Sequence, residues 1–270
     1  KKDSFGLNMN WTRGYILIGK INNMKLPISI GILSWKSGQV LVDTLSSHYF
    51  NGLFEIVNDV CILFQEFSEE DKTIADHFGI PYIAKDNNIG IGQAFIELTE
   101  QAKTDNILVV EHDWNLIEDK ETTYNRLKSG LDLINSDYDV VRYRHRKRPG
   151  IPHFSFRHRG NELTYYDEEI EATSPHLLDS VHWCNPNESF PDKIRKEGEY
   201  FVSNARWSNW TNNPCLYKKD FYLETVNQFA GSGIALEGNI GRWWVKQTNM
   251  VAHGEGLFMH NDWKKFGKQN

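Results

Sequence analysis

Residues 107–114 read Ile-Leu-Val-Val-Glu-His-Asp-Trp, and the choice of fold class turns on them. Four consecutive large aliphatic residues without polar alternation make a strand buried on both faces, as in the interior of a parallel sheet. That strand runs directly into two carboxylates, Glu111 and Asp113. Ligands of open α/β sheets gather beyond the carboxyl ends of the strands, so acids placed there are candidates for chemistry. Carboxylates at i and i+2 can both reach one hard cation, Mn²⁺ or Mg²⁺, which prefers oxygen ligands and would join them to a diphosphate. Taken alone, the pair also fits two ordinary turn acids with His112 at the surface.

Outward from this stretch the chain alternates. Strands are expected at 28–33, 60–64, 81–83, 107–110 and 139–143, and helices at 40–54, 69–78, 91–101 and 118–134. Ser68 followed by Glu69, Glu70 and Asp71 is a helix start, because hydroxyl and carboxylates suit the exposed amides and the positive dipole end; Gly79 closes that helix. Such alternation predicts an α/β fold with a Rossmann-like sheet of parallel strands and right-handed helical crossovers. Residues 1–26 read as an N-terminal extension, with an edge strand at 15–18 and a turn at 22–23. Residues 144–210 are polar, rich in His, Arg and aromatics and weakly periodic, and helices return at 220–229 and 237–247. The expectation is a single domain over 27–270, with a nucleotide-binding half at 27–143 and an acceptor half at 144–270.

Composition narrows the class. The chain has 270 residues, 40% hydrophobic and 24% charged, which excludes a disordered or collagen-like chain. A net charge of −6 argues against a nucleic-acid partner. No apolar run reaches the ~18 residues of a membrane span, and no charged-then-apolar leader opens the sequence. Cys61, Cys184 and Cys215 are too few and scattered for a disulfide framework or zinc site, and read as free thiols. Asn10, Asn187 and Asn209 each begin an Asn-x-Ser/Thr triplet. A glycan on Asn209 would obstruct the expected cleft, so the chain is expected in the cytoplasm.

A second motif lies about twenty residues upstream of the acids. Asp86-Asn-Asn-Ile-Gly-Ile-Gly-Gln-Ala94 joins a strand to a helix. Gly90 and Gly92 allow close backbone approach, and the helix N-terminus behind them is a natural anion site. Phe95 holds the third glycine position, which speaks against a dinucleotide fingerprint.

With these motifs in place the sequence resembles the nucleotide-sugar-dependent glycosyltransferases of the GT-A fold. The nearest likeness is to family-2-type enzymes and the small glycosyltransferases of large DNA viruses. The resemblance rests on Ile30-Gly-Ile-Leu-Ser-Trp35, Leu41 to Leu45, Asn88-Ile-Gly-x-Gly-x-Ala94 and Leu108-Val-Val-Glu-x-Asp-Trp114, and covers roughly 27–265. It implies a mixed, mainly parallel sheet flanked by helices, with an irregular acceptor-side half. The implied activity is metal-dependent, inverting transfer of a sugar from a UDP- or GDP-sugar to a hydroxyl of a glycan or glycoconjugate. Ser34 and Trp35 would then lie near the base or ribose, Gln65 would face the base, and Asn88, Gly90 and Gly92 would border the donor. Glu111-His112-Asp113 stands where the family carries Asp-x-Asp, with the weight on Asp113. Gly254-Glu-Gly-Leu-Phe-Met-His260 resembles the segment that supplies a metal-binding histidine, and His260 is preferred to His253.

For the catalytic base the resemblance points to Glu237, at a helix start where inverting members carry paired acids. Here Gly238 replaces the second acid, and the dipole alone would favour a carboxylate there. Asp179 is the second candidate. Arg142 and Arg144 open a run of five basic side chains ending at Arg148, suited to a diphosphate or an anionic acceptor, or to a solvated loop. Trp207, Trp210, Asn212 and Asn213 resemble the segment lining the acceptor side. Two alternatives stay open: a non-catalytic carbohydrate-binding protein on a transferase-derived fold, and a sugar-phosphate nucleotidyltransferase. The latter carries a Gly-rich loop with Arg and Lys after its first strand, whereas Ser34-Trp-Lys-Ser-Gly38 has one Gly and no Arg.

Overall fold

The computed structural model describes residues 25–150, 157–158, 161–162, 173–178 and 185–261. The expected strand at 15–18 and turn at 22–23 fall outside them, as do Asn10, Asp179 and Cys184. The elements up to residue 144 are β1 (Leu26–Trp35), α1 (Gln39–Phe50), α2 (Leu53–Ile56), β2 (Val57–Gln65), α3 (Glu69–Phe78), β3 (Tyr82–Lys85), α4 (Ile91–Gln101), β4 (Asn106–Glu111), β5 (Trp114–Leu116), α5 (Lys120–Ile134) and β6 (Val140–Arg144). A two-stranded hairpin follows, β7 (Arg157–His158) and β8 (Asn161–Glu162). The rest is α6 (Pro186–Ser189), β9 (Arg195–Glu197), β10 (Tyr200–Asn204), β11 (Cys215–Lys218), α7 (Lys219–Asn227), α8 (Leu236–Trp244) and β12 (Met250–His260).

Helix α3 begins on a reciprocal cap. Asp71 N donates to Ser68 Oγ at 3.3 Å and Ser68 N donates to Asp71 Oδ2 at 3.0 Å, and Gly79 ends the helix at φ 65°. The single helix expected over 40–54 is broken in two, because Gly52 takes φ 73° between α1 and α2.

The large sheet runs β3-β2-β1-β4-β11-β6-β12-β10-β9, with β5 on β12. Strands β3, β2, β1 and β4 are parallel, as the alternation predicts. Strand β11 is the departure. It enters antiparallel between β4 and β6, and β10 and β9 extend the sheet antiparallel beyond β12. The sheet is therefore mixed, and strands from the polar stretch before residue 210 belong to it. Both faces are covered: Ile28, Ile30 and Ile32 of β1 point to one core, and Leu33, Phe95, Trp210 and Trp244 fill the other. Among the described residues no helix is long and apolar enough to cross a membrane.

Candidate active site

A cleft of about 550 Å³ opens beyond the carboxyl ends of β1, β2 and β4. Trp35, Gln65, Asn88, Gly90, Glu111 and His112 line it, so six of the residues expected on the donor side are brought together. The opposite wall is a 3-10 turn, Ala230–Ala235, whose Gly233 lies at φ 56° and whose Ile234 is fully exposed. This wall was not foreseen; its small residues gave only a weak signal of close approach.

Three expected donor residues do not line the cleft: Ser34, Gly92 and Asp113, the last in the turn that follows His112. Ser34 is fully buried and its Oγ is 2.6 Å from Ser37 Oγ, so it holds the loop after β1 and does not border the cleft. Gly92 lies behind the cleft, where α4 meets the 3-10 turn. A Cβ there would fall 3.0 Å from the Ala230 carbonyl oxygen and 3.2 Å from Leu236 Cδ1. Overpacking against the Ala230 backbone opposes the ~1 kcal/mol that Ala gains over Gly in a helix, so Gly92→Ala is expected to cost about 1 kcal/mol net, read as a lowered urea midpoint with unchanged m-value.

Beyond β4 the chain turns at His112–Asp113 into β5. One face of α1 pins that short strand. Thr44 Oγ1 donates to Asn115 Oδ1 at 3.1 Å, Leu116 N donates to Ser47 Oγ at 2.9 Å, and Asn51 Nδ2 donates to the Leu116 carbonyl at 2.9 Å. His48 Nε2 donates to the Trp114 carbonyl at 2.9 Å, which fixes its proton on that nitrogen. These positions follow i, i+3, i+4, i+7, a single helix face. Burial lowers the His48 value from 6.5 to about 4, against the opposing bond to Trp114. The folded chain thus keeps His48 neutral where the unfolded chain protonates it. Its stabilising contribution is complete above pH 6.5 and is lost as pH falls towards 4, about 3 kcal/mol in all. The difference in unfolding free energy between wild type and His48→Gln is expected to change by that amount across this window.

Asp113 lies in the turn after β4, next to His112 of the cleft wall. Burial opposes its charge, but the hydrogen bond from His260 and the nearby His260 and His112 prevail and hold the carboxyl below the usual range. His260 Nε2 is 3.1 Å from Asp113 Oδ2, and Asn261 N donates to the Asp113 carbonyl at 2.6 Å. Asp113 Oδ1 is buried without a hydrogen-bond partner, an arrangement that costs free energy unless a cation or donor faces it. Among the described residues no three His, Cys, Asp or Glu side chains converge. The expected set of Glu111, Asp113 and His260 is thus not assembled in advance: Glu111 ends β4 on the cleft, and the turn carries Asp113 to His260. The Asp113–His260 pair with its orphaned oxygen has donor chemistry that fits a divalent ion. His253 is placed otherwise, fully buried in β12 with Nε2 on the Arg144 carbonyl at 2.8 Å. Its imidazole is held well below its ordinary value by burial.

Contacts continue from this pair towards the residues expected on the acceptor side. His260 packs on Trp114, ring centroids 4.6 Å apart, and the Arg144 guanidinium stands 5.4 Å from the same indole. Burial lowers the Arg144 value to about 10, with Glu237 acting in the opposite sense. Glu237, exposed at the start of α8, accepts from Asn212 N at 3.1 Å, and its charge also reaches Arg142. Arg142 and Arg144 are buried, so the start of the basic run is no solvated loop: Arg142 Nη2 donates to the Asn209 carbonyl and Arg144 Nε to that of Pro149. Lys147 and Arg148 are the exposed members, paired with Glu255 and Glu118.

Trp210 corrects a further expectation. It is a core residue, stacked on Tyr217 at 5.5 Å with the edge of Trp244 at 5.2 Å, and has no face to offer a sugar. Trp207 is half-buried between the cations of Arg206 and Lys193, at 4.3 and 4.6 Å. Asn213 N donates to Thr211 Oγ1 at 3.2 Å, closing the turn beside Asn212. Asn209 is buried with its amide nitrogen on the Trp210 carbonyl, and is closed to a glycan.

No family model and no curated protein sequence matches the chain. Solved structures do. S. aureus TarS 1-349 superposes with a TM-score of 0.54 at 14% identity over 88% of this chain and 60% of that one. Its complex with UDP gives 0.55 at 12% over the same shares, and its complex with UDP-GlcNAc 0.54 at 12% over 88% and 58%. The fold is GT-A. At this identity the likeness shows architecture alone, and the chain spans about 60% of the TarS fragment.

Proposed function

We propose that this chain is a glycosyltransferase that moves a sugar from a nucleoside-diphosphate donor to an acceptor hydroxyl. The observation that carries the reading is the partnerless buried oxygen of Asp113, beside a cleft walled by glycine-opened backbone at the carboxyl ends of parallel strands. The first turn of α4 bears no acidic side chain and no side-chain cap, so its amides suit an anionic diphosphate. That TarS structures exist with UDP and UDP-GlcNAc supports the choice of donor class.

In this reading 27–143 supplies the donor side and 144–270 the acceptor side of one domain, with the Ala230–Ala235 turn reaching over to wall the donor cleft. Asp113 and His260 would hold a divalent ion, Mn²⁺ or Mg²⁺, which would supply positive charge to a diphosphate leaving group. Glu237 takes the acceptor's hydroxyl proton while that oxygen bonds to the anomeric carbon; the carbon–diphosphate bond breaks on the opposite face, giving inversion. The Asn212 N–H orients the Glu237 carboxylate, and the buried Arg144 lies within reach of its charge. Glu237 is exposed and so open to a glycan or glycoconjugate. The free thiols Cys61 and Cys215 suit a reducing compartment, in this reading the cytoplasm.

The test is release of nucleoside diphosphate from UDP- and GDP-sugars with a pool of glycan acceptors and Mn²⁺. Acceptor-stimulated release that a chelator abolishes is expected. Glycan binding indifferent to nucleotide and metal, with no release from any donor, would favour a carbohydrate-binding protein instead.

A further inference from the structure

Asn261 directly follows His260 at the end of β12. It is 6% exposed, and its Oδ1 is buried without a hydrogen-bond partner. Asparagines at other turns of the chain place that oxygen on the backbone two residues on. Asn88 Oδ1 accepts from Gly90 N at 2.8 Å, and Asn204 Oδ1 from Arg206 N at 3.1 Å. The Asn261 oxygen has no such bond. A buried acceptor left unpaired costs free energy, and a polar side chain held that way calls for a ligand.

The surroundings indicate which ligand. Asn261 N donates to the Asp113 carbonyl at 2.6 Å, which ties it to the residue whose Oδ1 is likewise buried and partnerless. Its chain neighbour His260 has Nε2 3.1 Å from Asp113 Oδ2. The backbone bearing these groups is fixed from two sides. His260 pairs with Trp114 of β5, and His260 N donates to the Pro149 carbonyl at 3.1 Å. Gly150, at φ 75°, closes against the same residue, where a Cβ would collide with the His260 backbone.

Two orphaned oxygens on residues joined backbone to backbone, with an imidazole next in the chain, are a donor set for a hard cation. A side-chain amide carbonyl is an ordinary oxygen ligand of such ions. Among the described residues no third His, Cys, Asp or Glu joins Asp113 and His260. Asn261 offers a third donor from a residue type outside that set.

We propose that Asn261 Oδ1 is a protein ligand of the divalent ion, together with Asp113 and His260. This rests on the metal reading above. It also gives the unpaired amide a purpose: the folded chain keeps an oxygen unsatisfied so that a cation can take it.

The test is Mn²⁺ binding by the whole chain without nucleotide, read from the EPR signal of free Mn²⁺, with Tm measured in the absence of metal. Asn261→Leu is close in shape, removes the oxygen and leaves the backbone N–H on Asp113 in place. Its Mn²⁺ affinity is expected to fall ten-fold or more, while its Tm without metal equals or exceeds that of wild type, since a buried unsatisfied acceptor is gone. Asn261→Asp restores an oxygen, now charged, and is expected to bind Mn²⁺ at least as tightly as wild type. A side chain that only held the turn would lower Tm on removal and leave the affinity unchanged. Wild-type affinity in Asn261→Leu, or an Asn261→Asp that binds no better than Asn261→Leu, overturns the Asn261 assignment alone. Wild type that takes up no Mn²⁺ at millimolar concentration overturns the metal reading and this proposal together.

Discussion

Asp113→Asn is expected to lower turnover by ~10²-fold or more. The substitution is nearly isosteric and keeps an oxygen towards His260 Nε2, now 3.1 Å from Oδ2, so the turn into β5 stays in place. What it removes is the negative charge that His260 and His112 hold in the ionised form despite burial. Loss of one preorganised electrostatic group where charge develops costs ~10²–10³ in rate. The measurement is kcat for donor turnover across a Mn²⁺ series. Turnover unchanged at every metal concentration would remove Asp113 from the reaction. His260→Ala is the companion: it takes away the carboxylate's partner, and is expected to raise the metal concentration needed for half-maximal rate.

The second large effect is expected at Glu237. Glu237→Gln keeps an acceptor oxygen for Asn212 N, 3.1 Å away in the wild type, so the start of α8 is undisturbed. It removes the proton acceptor, and general-base loss is worth ~10²–10⁴ in rate. The loss is expected in kcat with the donor KM little changed, since Glu237 is not among the residues that line the donor cleft. Donor hydrolysis by water is expected to suffer less than transfer to an acceptor. A variant transferring sugar at the wild-type rate would move the base elsewhere, to Asp179 first.

Much of the first half of this architecture is legible in the sequence because local and tertiary preferences agree there. Helices α3 and α4 have the expected bounds, since the Ser68 cap, Gly79 and Gly90 mark their ends chemically. The aliphatic run into Glu111 and Asp113 identifies β4 for the same reason. Strand β12 is hidden by its glycines. Gly254 admits the Tyr200 ring and Gly256, at φ 86°, leaves no room for a Cβ against the Arg144 carbonyl, so the two-residue alternation is broken. Strand β11 spans four residues beside a helix start, too few to show a period.

Residue type misleads elsewhere. Trp210 carries the same chemistry whether it faces a sugar or a core, and only the packing of Tyr217 and Trp244 around it decides. The polar face of α1 has a helical period, but its partner is β5, about seventy residues on, so its purpose appears only in three dimensions. Histidine spacing likewise cannot tell His253 from His260; strand register does, by burying one and laying the other on Asp113.

Thermal unfolding of the wild-type chain with UDP and with GDP, each with Mn²⁺ and with chelator, tests the donor site most directly. A ligand at a hundred times its Kd adds about 2.7 kcal/mol to stability, a rise of several degrees in Tm. The account predicts such a rise for at least one of the two nucleotides, reduced by chelator and by Asp113→Asn. A folded protein whose Tm moves with neither nucleotide, at millimolar concentration and with Mn²⁺ present, would contradict it.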